Sequence, residues 1–185
     1  KDRWQLARAW LEALVRAPSA PDGVRALSHA VDEAAALRLV RDELLPRRSV
    51  LYMPGANERA LEKAKGLDAD ALILDLEDAV APDAKAEARE RVCGLVLANA
   101  YGHKEVAIRV NGLDTEWHAA DIAAAAAAGP AAVVVPKVNS VDDVRKIEDG
   151  LASAPAATKI WAMVETPVAM LHAEEIAAAS DRLTV

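Results

Sequence analysis

Charged and amide side chains gather at the ends of short apolar runs in this chain. Asp75-Leu76-Glu77-Asp78 places three carboxylates within four residues, directly after Ala71-Leu72-Ile73-Leu74. Crowded carboxylates repel, so they call for a cation, a proton or hydrogen-bond donors. A hard divalent ion with oxygen ligands is one solution; an acidic loop in water, or caps for the next helix, is the plainer one. Glu165 ends Trp161-Ala162-Met163-Val164 and precedes Thr166-Pro167. A carboxylate there is expected to be part-buried and to need a partner: a metal ion, a salt bridge or a helix N-terminus. Arg109 sits in Ile108-Arg109-Val110-Asn111. Its planar fork suits a substrate carboxylate, and an ion pair with the acidic residues is the alternative. Arg47, Arg48 and Arg59 flank the first apolar run and either hold phosphates or stay solvated. Lys137 follows Val135-Pro136 and either lines the same mouth or snorkels.

Other chemistries find less support. His29, His103, His118 and His172 are scattered and form no metal-ligand spacing. Cys93 lies in a helical pattern with no base near it and reads as core. There is no Gly-x-Ser-x-Gly elbow. No Gly-x-Gly-x-x-Gly follows the first strand, which lowers a dinucleotide-binding reading.

The elements that must position these groups alternate. Apolar runs at 49–53, 71–75, 105–110, 132–135 and 160–164 read as strands, and 183–185 as the start of a sixth. Amphipathic stretches at 57–67, 83–98, 115–128, 140–151 and 168–179 read as helices; Asn57 and Ser140 can cap two of them. Gly129-Pro130 stops another. Continuous apolar strands between helices predict a parallel sheet. Four of the five strands deliver charge just past their C-termini, which favours a (β/α)8 TIM barrel, whose active site lies on that face. About five to six βα units of such a barrel are expected in 47–185. Residues 1–46 differ in texture: helical patterns at 2–16 and 24–45, broken by Pro18 to Gly23 and ended by Pro46, read as a helical extension of unknown role.

The chain of 185 residues carries a net charge of −7, which argues against nucleic acid as a partner. No apolar run approaches the roughly 20 residues that span a bilayer, so no membrane partner is expected. A single cysteine cannot form an internal disulfide, which fits a reducing, cytoplasmic setting. The chain stops at Val185 inside an apolar run, so a piece of a longer protein is expected.

Taken together the segments resemble the HpcH/HpaI aldolase and citrate lyase β-subunit (malyl-CoA lyase-like) family. The matching stretches run from Arg47-Arg48-Ser49-Val50-Leu51-Tyr52-Met53-Pro54-Gly55 through Lys63-Ala64, Ala69-Asp70 and Asp75-Leu76-Glu77-Asp78-Ala79-Val80-Ala81-Pro82 with Lys85 and Arg89. They continue with Ile108-Arg109-Val110-Asn111, Val135-Pro136-Lys137 and Val164-Glu165-Thr166. The resemblance implies a TIM barrel that binds Mg²⁺, assembles as a homo-oligomer (trimer or hexamer), and makes or breaks C–C bonds in malyl-, citramalyl- or citryl-type thioesters of CoA or an acyl carrier, with a small keto acid as co-product. By motif, Glu165 is expected as a metal ligand and Arg109 as the catalytic group that clamps the keto acid and its developing charge. Asp75, Glu77 and Asp78 are expected to hold metal-bound waters, and Arg48 to lie near the thioester or CoA phosphates. The family's second metal aspartate and its C-terminal catalytic acid fall beyond Val185, so the chain alone is expected to be inactive. A non-catalytic barrel fragment or assembly subunit, and a pyruvate/phosphoenolpyruvate-type barrel enzyme acting on free keto acids, are the alternatives.

Overall fold

The computed structural model of this protein describes residues 47–185. The two helical patterns expected within 1–46 lie outside the described residues. From Arg47 onward the order is β1 (Val50–Pro54), α1 (Glu58–Ala64), β2 (Ala71–Asp75), a 3-10 turn (Pro82–Ala84) running into α2 (Lys85–Leu97), β3 (Glu105–Arg109), α3 (His118–Ala128), β4 (Ala132–Val135), α4 (Val141–Gly150), β5 (Lys159–Ala162), α5 (Pro167–Leu171) and α6 (Ala173–Ala177). All five strands are parallel and neighbour one another in chain order. The last residues run beside β5 in the same sense: Ile160 bridges Leu183, and the Ala162 amide donates to the Val185 carbonyl at 2.8 Å.

Caps and glycines set the boundaries. Asn57 and Ser140 accept backbone N–H bonds from Ala60 and Asp143, satisfying donors that a helix start leaves open. Gly129 takes the left-handed conformation (φ 64°) that ends α3. The helix expected over 168–179 is instead two short pieces broken at His172. Only Ala169 and Ile176 of these pieces are buried, while Met170 and Leu171 stand exposed, so little packing holds a continuous helix there.

Side chains alternate across the sheet. Leu72, Leu74, Ile108, Val133, Val135 and Ile160 join helix residues such as Leu61, Val92, Ile122, Val144 and Ile147 in the larger core. The opposite face holds a small cluster of Ala71, Ile73, Ala107, Ala132, Val134 and Trp161. That face is concave. Strands lie about 4.8 Å apart, so β1 and β5 of a flat sheet would be separated by about 19 Å. Here the Tyr52 hydroxyl reaches the Met163 sulfur at 4.0 Å, and the Arg47 guanidinium stacks 4.9 Å from the Trp161 ring. Only a strongly curled sheet permits both contacts, as in the wall of a barrel.

Candidate active site

The rim at the strand C-termini is built around one ion pair. Asp75 and Arg109 are register partners at the last ladder position of β2 and β3, on the concave face. Arg109 Nε and Nη2 each donate at 2.7 Å to the two Asp75 oxygens. Both residues are buried, at 2% and 8% exposure. The Asp75 oxygens also accept the backbone N–H groups of Glu77 (2.9 Å) and Ala79 (3.2 Å). A carboxylate has about four acceptor positions, and all four are used. Burial opposes the Asp75 charge, but Arg109 and the two amides outweigh it and hold its pKa below the usual carboxylate range. Burial likewise works against the Arg109 cation, and the Asp75 pairing outweighs it, raising its pKa further.

The remaining edge of the guanidinium turns outward. Nη1 meets Glu77 Oε2 at 2.9 Å and Asp78 Oδ2 at 3.5 Å, and the Tyr52 ring lies 4.9 Å from the guanidinium carbon. Burial pushes the Glu77 pKa up, with Arg109 pulling against it. Across the rim, the Lys137 amide donates to Glu165 Oε1 at 2.9 Å, and the Lys137 ammonium stands 3.9 Å from Glu77 Oε1. Glu165 is exposed rather than part-buried, because the chain leaves the sheet after Ala162.

Beneath the acidic loop lies a buried polar network. The Lys85 ammonium donates to the carbonyls of Leu76 (2.9 Å) and Glu77 (2.8 Å) and to Asn111 Oδ1 (2.7 Å). Asn111 donates from its backbone and side chain to Asp121 Oδ2, at 3.0 and 2.5 Å, and Asp121 Oδ1 accepts from Arg89 at 2.6 Å. His118 Nδ1 meets the Asn111 carbonyl at 2.8 Å. Burial lowers the Lys85 pKa, opposed by Asp121, Asp75, Glu77 and Asp78. This network fixes the backbone from which Glu77 and Asp78 project. His118 carries no metal-ligand spacing, and Asp121 belongs to none of the acidic groupings at strand ends, yet both enter this network. The sequence marks them as the only polar residues of the alanine-rich α3, one turn apart at its start, and the structure buries both.

The structure therefore brings Asp75, Glu77, Asp78, Arg109 and Glu165 to one rim. Arg48 is not among them. Its guanidinium pairs with Asp70 at 2.7 and 3.1 Å, before β1 and β2 begin. Six residues of strand, about 20 Å, separate it from Pro54. Arg48 ties two strand N-termini together, and this pairing lowers the Asp70 pKa to about 2. Within the rim, Asp75 accepts from Arg109 and the two amides through all four of its acceptor positions.

No group of three or more His, Cys, Asp or Glu side chains able to hold a metal ion occurs among the described residues. Mg²⁺ needs fewer, because it keeps several waters and uses one or two carboxylates plus substrate oxygens. The Glu165 carboxylate, held through one oxygen, with Glu77 and Asp78 across the rim, fits that demand in donor chemistry.

A curled parallel β/α sheet with its carboxylates and its Arg109 and Lys137 cations at the strand C-termini defines an enzyme-like wall of TIM-barrel type. Residues 48–185 match the HpcH/HpaI aldolase/citrate lyase family, and the chain belongs to it. It is 50% identical over 133 residues to the (3S)-malyl-CoA thioesterase of Cereibacter sphaeroides, covering 72% of this chain and 45% of that one. It is 38% identical over 144 residues to the citrate lyase subunit beta of Escherichia coli, covering 74% and 48%. The crystal structure of CitE from Mycobacterium tuberculosis with magnesium, acetoacetate and coenzyme A matches with a TM-score of 0.59 at 31% identity, over 74% of this chain and 47% of that one. The chain thus spans about half the length of the curated relatives it matches.

Proposed function

We propose that this chain carries the metal- and keto-acid-binding half of a Mg²⁺-dependent lyase that cleaves or forms a C–C bond in a β-hydroxyacyl-CoA of the malyl, citramalyl or citryl type. The observation that carries the reading is the rim itself: Arg109, immobilised by Asp75, faces Glu77 and Asp78, while Lys137 links Glu77 to Glu165. Glu165 is the proposed metal ligand, and Glu77 and Asp78 would hold metal-bound water. Bound there, Mg²⁺ supplies Lewis-acid polarisation of a keto or hydroxyl oxygen.

The chain's own residues do the rest. Cleavage breaks the bond between the hydroxyl-bearing carbon and the carbon next to the thioester. The hydroxyl proton passes to solvent water acting as base, a carbonyl forms, and the electron pair passes to the thioester as an enolate, which takes one proton back at carbon to give the acyl-CoA. Arg109 is the proposed catalytic residue: held by Asp75, with Nη1 against Glu77 and Asp78, its guanidinium is a fixed positive charge beside the oxygen on which charge develops. Donors fixed in this way avoid reorganisation during reaction. A surface groove of about 560 Å³ beside the rim, lined by Asn57, Glu58, Arg59 and Arg91, offers the Arg59 cation for the phosphates of the CoA arm, Arg91 being paired with Glu58 and Glu87. Arg48, at the other strand end, has no part in this proposal.

Hydrolysis of the thioester is the second reading, favoured by the 50% identity to a malyl-CoA thioesterase. Malyl-CoA titrated into the full chain by calorimetry, with Mg²⁺ and again with EDTA, tests the shared site. Mg²⁺-dependent binding that Glu165→Gln abolishes is expected. Binding indifferent to both ion and variant refutes the proposal. Turnover by a chain extended past Val185 separates the two reactions by product: glyoxylate with acetyl-CoA for the lyase, malate with free CoA thiol for the thioesterase.

A further inference from the structure

We propose that Lys137 is the substrate-anion-binding cation of this rim, held in a left-handed backbone conformation so that one residue both anchors Glu165 and presents an ammonium to the keto-acid carboxylate. The inference rests on the keto-acid reading above and adds a residue to it.

The backbone is the first observation. Among the described residues only Asn99 and Lys137 combine a side chain with positive φ, at 48° and 53°. Asparagine tolerates that region, whereas a long side chain does not favour it. Such strain persists where surrounding contacts over-determine it. They do so here: the Lys137 amide donates to Glu165 Oε1 at 2.9 Å, and its carbonyl accepts from Asn139 Nδ2 at 2.8 Å. Thr166 in turn donates to Asn139 Oδ1 and accepts from the Ala169 amide, so the loops after β4 and β5 are locked together around this turn.

The second observation concerns which cation is available. Arg109 has committed its fork to Asp75 and its next nitrogen to Glu77 and Asp78. A bidentate grip on a substrate carboxylate would require it to release Asp75. The Lys137 side chain is 61% exposed, and its loose 3.9 Å approach to Glu77 is its one ion-pair contact among the described residues. An ammonium on a flexible stem can swing to an incoming carboxylate without breaking a buried pair. Arg109 and Lys137 then divide the work: one a fixed positive wall, the other the mobile hand.

Glycine and asparagine both suit the left-handed position and lack the ammonium, so Lys137→Gly and Lys137→Asn separate backbone from charge. Thermal melting and calorimetric titration of oxalate in Mg²⁺, on the full chain, read the two contributions. The Gly and Asn variants are expected to melt about 2–4 °C higher and to bind oxalate at least tenfold more weakly. Lys137→Arg is expected to stay within threefold of the native chain. Gly and Asn variants that bind oxalate as the native chain does overturn the inference and leave the proposed function standing. Variants that melt lower overturn the claim of a strained turn. A native chain with no Mg²⁺-dependent oxalate binding overturns both readings.

Discussion

Replacing Asp75 by Asn tests whether the rim is organised by its ion pair. The side chain keeps its shape and loses its charge. Arg109, 8% exposed, then faces an amide that cannot accept from both Nε and Nη2. Removing one partner of a buried pair costs about 3–5 kcal/mol, because the other charge stays buried. Glu77 at 2.9 Å retains part of the compensation, which places the expectation at the low end, about 3 kcal/mol. For a chain of this size that lowers Tm by roughly 6–12 °C. Urea denaturation at pH 7 measures it, with Arg109→Met and the double variant completing a cycle. The double variant is expected to be more stable than the sum of the singles implies, since no lone charge remains. The pH dependence has a definite sign. The folded-state pKa of Asp75 is depressed, so its contribution is full above the unfolded value of about 3.9 and is lost as pH falls through the folded value. The gap between native and Asp75→Asn chains therefore closes only in acid, below about pH 4. An Asn variant within about 0.5 kcal/mol of the native chain at pH 7 would refute the argument, since surface substitutions alone reach that figure.

Gly55→Ala sets a Cβ 2.7 Å from the Asp75 carbonyl, which already accepts the Gly55 amide, so a loss of about 1–3 kcal/mol is expected in the same urea assay. Lys85→Met leaves the Glu77 carbonyl and Asn111 Oδ1 without their ammonium donor; a loss of about 2–3 kcal/mol is expected, with faster amide exchange across residues 75–79. Tyr101 donates to the Leu61 carbonyl at 3.3 Å, and burial pushes its pKa up to about 12. Its folded value is raised, so its contribution is present below the unfolded pKa of about 10 and fades as pH climbs toward the folded one. Tyr101→Phe is expected to cost stability at pH 8 and to converge with the native chain in alkaline melts.

Much of this protein was legible in its residues because the signals are local. Strand and helix periods, the Asn57 and Ser140 caps and the Gly129 stop depend on neighbours within a turn. The placement of charge past strand C-termini follows from the same periods once the sheet is parallel. So the barrel-type wall, and the arrival of Asp75, Glu77, Asp78, Arg109 and Glu165 at one rim, were determined by sequence alone. Which of those residues grips which was not. Register placed Asp75 beside Arg109 and saturated it, which a one-dimensional pattern cannot express. Strand length carried Arg48 to the far end and gave it Asp70. Chain exit after β5 left Glu165 exposed and within reach of the Lys137 amide. The inward turn of His118 and Asp121 depended on α3 packing its first turn over Asn111. Partners many residues apart in sequence are chosen by register, curl and packing, and those quantities exist only once the chain has folded.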